Sequence, residues 1–442
     1  MKFLLIVQSV DNIRRAETGS TGTYKLTGTV PALFVSLCKN YYKSMNIILL
    51  TQYYRPEMGA PQNRLYEMTS GLIKNRCDIT IITGMPNYPF GAIFPEYKGK
   101  FRVKEKVDDI NCVRYWLYAS NSKNKASRIL NMLSFSLTSL FSYFDLRKKK
   151  IDFLIVESPP LTLGITGYIL SKLTGAKLIM NISDLWPLSA KELGAISERS
   201  LLYRLLERLE KFLYRKSVFC MGQSAEIVEY IKSHGAQRTY LFRNGVDPER
   251  FENNLVNQDR QVNQPLRIIY AGLLGFAQGI LNICKHVNFK RLGVEFHIYG
   301  AGGEQKAIEE YLNVNQDNNV FYHGSVSRED IPAILSQSDI TLIPLVTGIF
   351  GAVPSKIYES MAAGLPILFS GGGEGQRIVK ENDLGWVSEA KDYEALEENI
   401  KSLISQPDEI AKKRENCIRC AREKFNRPRQ VKELYSYMHS LS

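Results

Sequence analysis

The chain has 442 residues, 44 % hydrophobic and 23 % charged, a balance that excludes a disordered chain and reads as globular. That length exceeds a typical single core and predicts two domains. The formal net charge of +12 suits nucleic acid, an anionic membrane face or phosphorylated ligands. The seven cysteines are odd in number and scattered, which argues against a disulfide framework and for a reducing compartment. Cys417 and Cys420 form a lone C-x-x-C on a predicted helix. No second pair accompanies it and the five histidines lie elsewhere, so it reads as structural rather than as a zinc or redox site.

Taken in chain order, "MKFLLIVQSV" carries one lysine and a short apolar run. It has no small-residue cleavage site, and Asp11, Arg14 and Arg15 follow, so a secretory signal is not expected. Residues 1–44 show no clear element order, and Met45 directly precedes a complete first strand. The extension is either an appendage or lies upstream of the true start, and no role is assigned to it. From Asn46 onward apolar strands alternate with loops and helices: "NIILLTQYY", "DITIITG", "DFLIVES", "KLIMNIS" and "VFCMGQ". "ILNMLSFSLTSLFSYF" (Ile129–Phe144) falls short of the roughly 20 residues of a spanning helix. Its Leu133, Leu137, Leu140, Phe141 and Phe144 share one helical face, which predicts a packed or interfacial helix. "NNLVNQDRQVNQP" (253–265) is polar and aperiodic and reads as a linker. The pattern then restarts with "RIIYAG", "VEFHIYG", "VFYHG", "ITLIPL" and "PILFSG". The prediction is an α/β protein of two Rossmann-like, doubly wound domains with parallel sheets.

Three stretches can carry chemistry. "YAGLLG" (Tyr270–Gly275) and "YGAGGE" (Tyr299–Glu304) follow strands, where glycine lets backbone N–H groups approach an anion. Neither matches a dinucleotide or P-loop pattern. "GAVPSKIYESMAAGLPI" (Gly351–Ile367) places Lys356 and Glu359 one turn apart at a helix start. A lysine there can meet a diphosphate and the carboxylate a vicinal diol such as ribose. The alternative is a solvated helical ion pair.

The order "DLWP…NGVD…AG…G…Q.G…GAGG…G.V…VPSKIYE.MAAGLPI" resembles glycosyltransferase family 4, the retaining GT-B sugar transferases, over about Asn46 to Arg429. It is most similar to the bacterial surface-polysaccharide branch that includes L-fucosamine transferases. The resemblance implies two domains facing a cleft: 45–252 on the acceptor side and 266–425 holding the nucleotide sugar. The C-terminal helix, 426–442, is expected to pack back on the first domain. It further implies that Glu359 binds ribose, and that the other glutamate of the family's Glu-x7-Glu pattern falls on Gly351. A backbone contact from Gly351, Ala352 and Val353 then remains. Leu273 and Gln278 stand where many members carry an arginine and a lysine, so Lys356 becomes the main charge for the diphosphate. Gly272, Gly275, Gly302 and Gln278 would line that loop, Val326 would lie near the base, and Gly59–Ala60 would approach the diphosphate from the first domain.

Asp184 in "SDLWP" has two readings, a cleft residue touching acceptor or sugar and a helix N-cap. Asp184 and Lys356 are the catalytic candidates, with positive charge and amide dipoles stabilising the leaving phosphate. No Asp-x-Asp stands in a suitable loop, and Asp108–Asp109 reads as surface, so no cofactor and no metal is expected. "RLLERLEKFLYRK" sets Arg204, Arg208, Lys211 and Arg215 on one helical face, with Leu202, Leu205, Leu206, Leu209 and Leu213 toward the other. With Arg147-Lys148-Lys149-Lys150 this face suits an anionic membrane surface, or is an ordinary solvated face. Nucleic acid is not expected, because no recognition module is present. The implied partners are a nucleotide sugar donor, probed first as UDP-linked and with N-acetyl-L-fucosamine as the named candidate, and a saccharide or lipid-linked saccharide acceptor. The implied location is cytoplasmic, peripheral at the inner face of the cytoplasmic membrane. Two other classes share parts of this pattern. A nucleotide-sugar 2-epimerase would carry the Ser-Gly-Gly of "SGGGEGQ" before its strand rather than after it, and a non-catalytic subunit of a polysaccharide assembly complex would turn over nothing.

Overall fold

An apolar run too short for a helix and covered on both faces becomes a central parallel strand. In the computed structural model β1 (Asn46–Leu50) is such a strand, with all but Asn46 buried. The structure describes residues 44–442 except 123, 193, 256–263, 347 and 349, so the N-terminal extension and most of the predicted linker lie outside the described residues. Around β1 stand β2 (Asp78–Gly84), β3 (Arg102–Val107), β4 (Ile110–Tyr115), β5 (Phe153–Ser158), β6 (Lys177–Ile182), β7 (Phe219–Gly222) and β8 (Thr239–Leu241). Their order is β3-β4-β2-β1-β5-β6-β7-β8, parallel except for the β3–β4 hairpin. Asp108 and Asp109 make that hairpin's left-handed turn, and Asp108 pairs with Arg55 at 2.9 Å.

The second sheet has β9 (Leu266–Ala271), β10 (Val294–Tyr299), β11 (Val320–Tyr322), β12 (Ile340–Pro344), β13 (Ile367–Ser370) and β14 (Gly385–Ser388). Its order is β11-β10-β9-β12-β13-β14, all parallel. Each sheet has a separate apolar cluster on either face. Cys417 and Cys420 belong to the second sheet's core. Cys417 Sγ lies 3.4 Å from the Leu365 carbonyl, and burial pushes its thiol well up, so it packs as a small apolar group.

The helices that position the site are α1 (Ala60–Lys74), α2 (Lys125–Thr138), α3 (Leu161–Thr174), α4 (Leu201–Lys216), α5 (Ala225–Ser233), α6 (Ile280–His286), α7 (Lys356–Ala363), α8 (Gly373–Glu381) and α9 (Arg427–Ser440). The two domains are stitched where Val246 and Asn426 bridge: Val246 N–H donates to the Phe425 carbonyl at 3.0 Å, and Arg427 N–H to the Val246 carbonyl at 2.8 Å. Beyond that stitch α9 lies against α1, with Val431, Leu434 and Met438 in the first domain's core.

Two helices refine their sequence reading. On α2 the apolar face, read as packed or interfacial, is the outer one, with Leu133, Leu137, Phe141 and Phe144 exposed. The inner face is Asn131, Ser134, Phe135, Ser136, Ser139 and Ser142. Small side chains let α2 approach α3, where Ser136 Oγ meets Thr162 Oγ1 at 2.9 Å and Thr166 Oγ1 donates to the Ser136 carbonyl at 2.6 Å. On α4, Leu202 and Leu205 are exposed, while Tyr203, Glu210, Leu213 and Tyr214 turn inward. The Tyr214 and Tyr230 hydroxyls donate to Glu210 at 2.6 and 3.2 Å, so the inner face is chosen by hydrogen-bond satisfaction as well as by leucine.

Burial pushes the Glu210 carboxyl up to about 7, against the pull of those hydroxyls. A raised folded-state value means the stabilising, protonated form is fully present below the unfolded carboxyl's range and is lost as pH rises through about 7. Glu210→Gln keeps an acceptor without the charge. It should be more stable than wild type at about pH 8, by roughly 1–3 kcal/mol, and not at about pH 5. Chemical denaturation at the two pH values checks this.

Candidate active site

Parallel strands deliver their loops to one edge, and the two domains present those edges to each other. After β9, Gly272 holds a left-handed φ of +153°, and a Cβ built there would stand 2.1 Å from Lys356 Cε and 2.5 Å from Nζ. The backbone conformation favours glycine here, and the lysine side chain lies across it. The Lys356 ammonium sits 5.2 Å from the Tyr270 ring centroid. Gly302 allows the β10 loop to pack on the Leu274 carbonyl, and Leu274 N–H donates to the Ala301 carbonyl at 3.0 Å. Gly272 N–H is likewise taken by Tyr299. The N–H groups of Leu273 and Gly275 carry no hydrogen bond among the described residues.

Leu273 and Gln278 add no charge to this loop. Leu273 is exposed, and Gln278 folds back so that its Oε1 is buried and unpartnered. The N-terminus of α6 is occupied by Glu304, whose Oε2 accepts from Ile280 N–H at 3.1 Å. An anion at this edge therefore has Lys356 as its cation. Among the described residues Lys356 forms no ion pair or hydrogen bond, and it does not pair with Glu359. Burial pulls its ammonium below the usual lysine range, with Glu359 opposing. Burial likewise raises the Glu359 carboxyl, opposed by Arg328, Arg250 and Lys356. Two half-desolvated, unpaired charges one turn apart are costly alone and are relieved by a ligand that offers phosphate to one and hydroxyls to the other.

The first domain reaches this point through α1. Arg328, two residues after the half-buried Val326, donates to Glu67 at 2.7 Å, and Arg427 also meets Glu67 at 3.3 Å. Gly59 precedes α1 with no side-chain cap, so the amides near Gly59–Ala60 open the helix toward the cleft.

Gly351 has a left-handed φ of +77°, and a Cβ there would lie 2.5 Å from Ile227 Cγ1. A carboxylate side chain at this position would be strained by the backbone conformation and crowded by helix α5. The Gly351 N–H donates to Glu226 Oε2 at 2.8 Å, and Glu226 Oε1 accepts from Arg377 at 2.6 Å. Glu226 therefore joins the first domain to the Gly351 loop and to α8. Its own N–H donates to Glu374 at 3.1 Å, and Glu374 also pairs with Arg243. Of the loop, Ala352 is exposed and Val353 is buried in the second domain's core.

Asp184 is half-buried and accepts from the Ser189 hydroxyl. Beside it runs a network that sequence reasoning missed. Arg64 on α1 meets Glu157 at 2.7 Å and also contacts Ser183 and Gln223, and Asn181 donates to Glu157 at 2.5 Å. These residues stand at the ends of β5, β6 and β7 and tie α1 to the cleft floor. The one sequence signal was an acidic residue ending an otherwise apolar strand, "DFLIVES". Gln62 and Asn63 each present a buried, unpartnered oxygen in the first turn of α1.

Comparison with known families matches residues 252–424 to glycosyl transferases group 1 and residues 59–245 to a glycosyl transferase 4-like domain. The chain is 25 % identical to a protein named as colanic acid biosynthesis glycosyl transferase WcaI of Escherichia coli K12, over 72 % of this chain and 82 % of that one. It is 27 % identical to WbjE of Pseudomonas aeruginosa, which carries a glycosyltransferase name, over 62 % and 72 %. Among solved structures, Anabaena Alr3699/HepE in complex with UDP superposes with a TM-score of 0.65 at 15 % identity, over 90 % of this chain and all of that one. The lipopolysaccharide-biosynthesis glycosyltransferase WaaG superposes at 0.59 with 14 % identity, over 88 % and 99 %. The two matched regions adjoin near Val246, one holding β2–β8 and the other the whole second sheet, and the chain is a glycosyltransferase of group 1, family 4, with a GT-B fold.

Proposed function

We propose that the protein moves a sugar from a nucleotide diphosphate sugar to a growing, lipid-linked bacterial surface polysaccharide, with retention of configuration. The observation that carries this reading is Lys356, a half-desolvated ammonium with no ion-pair or hydrogen-bond partner among the described residues, lying across Gly272 and one turn from Glu359. Negative charge builds on the leaving phosphate as the glycosidic bond breaks, and a charge already stripped of water stabilises it without reorganisation. Glu359 receives the ribose hydroxyls, and the amides at Gly59–Ala60 face the diphosphate from the other domain. Asp184 stands on the acceptor side as the group that touches acceptor or sugar. The polysaccharide assignment is supported by the colanic acid biosynthesis named for WcaI, and the UDP-linked donor by the UDP bound to HepE. N-acetyl-L-fucosamine is the first donor to try, because the motifs resemble the branch that includes L-fucosamine transferases.

The test is turnover of a panel of UDP- and GDP-sugars with a polyprenyl-linked saccharide acceptor. Nucleotide diphosphate should be released only when donor and acceptor are both present. Conversion of donor alone would identify an epimerase. No conversion across the panel, with no donor binding, would overturn the proposal.

A further inference from the structure

We infer that the outer face of α2, α3 and α4 is a lipid-docking surface that inserts apolar side chains into an anionic membrane. The inference rests on the lipid-linked acceptor proposed above. The three helices lie side by side on one face of the first sheet: α2 packs on α3, α3 on α4, and Tyr168 meets Phe212 edge-on at 5.0 Å. Each turns a stripe of large apolar residues away from the core. On α2 and the turn after it these are Leu133, Leu137, Phe141 and Phe144, with Leu137 and Phe144 63 % and 62 % exposed. On α3 they are Ile165, Ile169 and Leu173, spaced by four. On α4 they are Leu201, Leu202 and Leu205. Soluble surfaces rarely carry so much contiguous apolar area.

The burial on α2 is inverted, with serines and Asn131 inside and leucines outside, so the exposed stripe is not a core face left open by chance. The segment Ala126–Leu146 is long and apolar enough to cross a membrane by length and composition. Its inner face, however, is hydrogen-bonded to α3 and to Gln52, which donates to Asn131 at 2.5 Å, so it lies along the surface rather than across it.

Charge selects the occupant. Arg147, Lys148, Lys149 and Lys150 close the stripe on α2, Arg128 opens it, and Lys172, Arg204 and Arg208 flank the other two; all are exposed. Asp145 is taken by Arg102 and Lys104, and Glu207 by Lys211. A second copy docking through this same face would set one basic rim against another, whereas anionic headgroups complement it. The Gln52–Asn131 bond also ties the start of the stripe to the loop leading into Gly59, so the docked face meets the cleft where a lipid-linked acceptor would arrive.

The experiment floats the full chain with vesicles of phosphatidylglycerol and phosphatidylethanolamine. Wild type should bind at low salt and keep a substantial bound fraction at about 0.5 M salt, where screening removes contacts between exposed charges. The variant Leu137→Ser/Phe141→Ser/Phe144→Ser should lose the salt-resistant fraction at least tenfold, while melting like wild type and keeping turnover on a water-soluble acceptor. A variant with Lys148, Lys149 and Lys150 changed to Glu should lose mainly the salt-sensitive fraction. Equal vesicle binding by the serine variant, complete release of wild type by salt, or a dimer that the serine substitutions dissociate would each overturn the inference. Turnover on the soluble acceptor reports separately on the proposed reaction, so the two can fail independently.

Discussion

Lys356→Met should lower donor turnover by about two to three orders of magnitude while leaving the protein as stable as wild type or more so. The two halves have one cause. An ammonium held half-buried with no ion pair or hydrogen bond among the described residues destabilises the empty protein, and an apolar side chain of similar length removes that cost. The same ammonium is the cation nearest the Gly272 loop, and removing one preorganised donor from a developing oxyanion costs about 3–4 kcal/mol in the barrier. A structural lysine would behave the opposite way, losing stability and keeping its rate. Lys356→Arg should not rescue, because the space above Gly272 fits a slender stem and a guanidinium is broader. Glu359→Ala, by contrast, should act mainly on donor KM, since ribose contacts change little between ground and transition states. Steady-state kinetics with the cognate donor, paired with thermal melts, reads both. Wild-type turnover by the Met variant would remove Lys356 from the site.

The repeating strand–loop–helix pattern was legible because central parallel strands are apolar throughout and cannot be mistaken for amphipathic ones. Lys356 and Glu359 were legible because a helix start fixes their spacing and proximity. The orientation of α2 was not. Periodicity shows that a helix has two faces, but which one turns inward depends on the neighbour. Here α3 offers hydroxyls at Thr162 and Thr166, and Ser136 of α2 meets the first with its hydroxyl and the second with its carbonyl. On α4, Leu206, Leu209 and Leu213 pack inward as read, while Leu202 and Leu205 stay outside because the inner face also has to bury Glu210 where Tyr214 and Tyr230 can reach it. The Arg64–Glu157 pair spans 93 positions and Glu226–Gly351 spans 125, so no local pattern announces either. Both bring together the ends of strands or helices that only the assembled topology makes neighbours.

Gly351 yields the second large effect. Placing at Gly351 the glutamate that the family resemblance implies should not improve the enzyme; Gly351→Glu should lower donor kcat/KM by at least tenfold. A side chain at φ +77° costs roughly 1–2 kcal/mol on its own. Its Cβ would also point into Ile227 Cγ1 at 2.5 Å, on α5 of the first domain. The new carboxylate would then face a buried isoleucine and the existing carboxylate of Glu226, rather than the space beside Lys356. Accommodating it requires the loop to leave Glu226, which breaks the Gly351 N–H bond and loosens the link through Arg377 to α8. Glu226→Ala removes that link from the other side without backbone strain, so it should reproduce the direction of the effect at smaller size. Glu226→Gln, which can still accept the Gly351 amide proton, should stand between Ala and wild type. That graded series separates a loop held in place by Glu226 from one that tolerates any neighbour. A Gly351→Glu variant that is folded and equals or exceeds wild type would show that the loop is free to turn its side chain toward the donor.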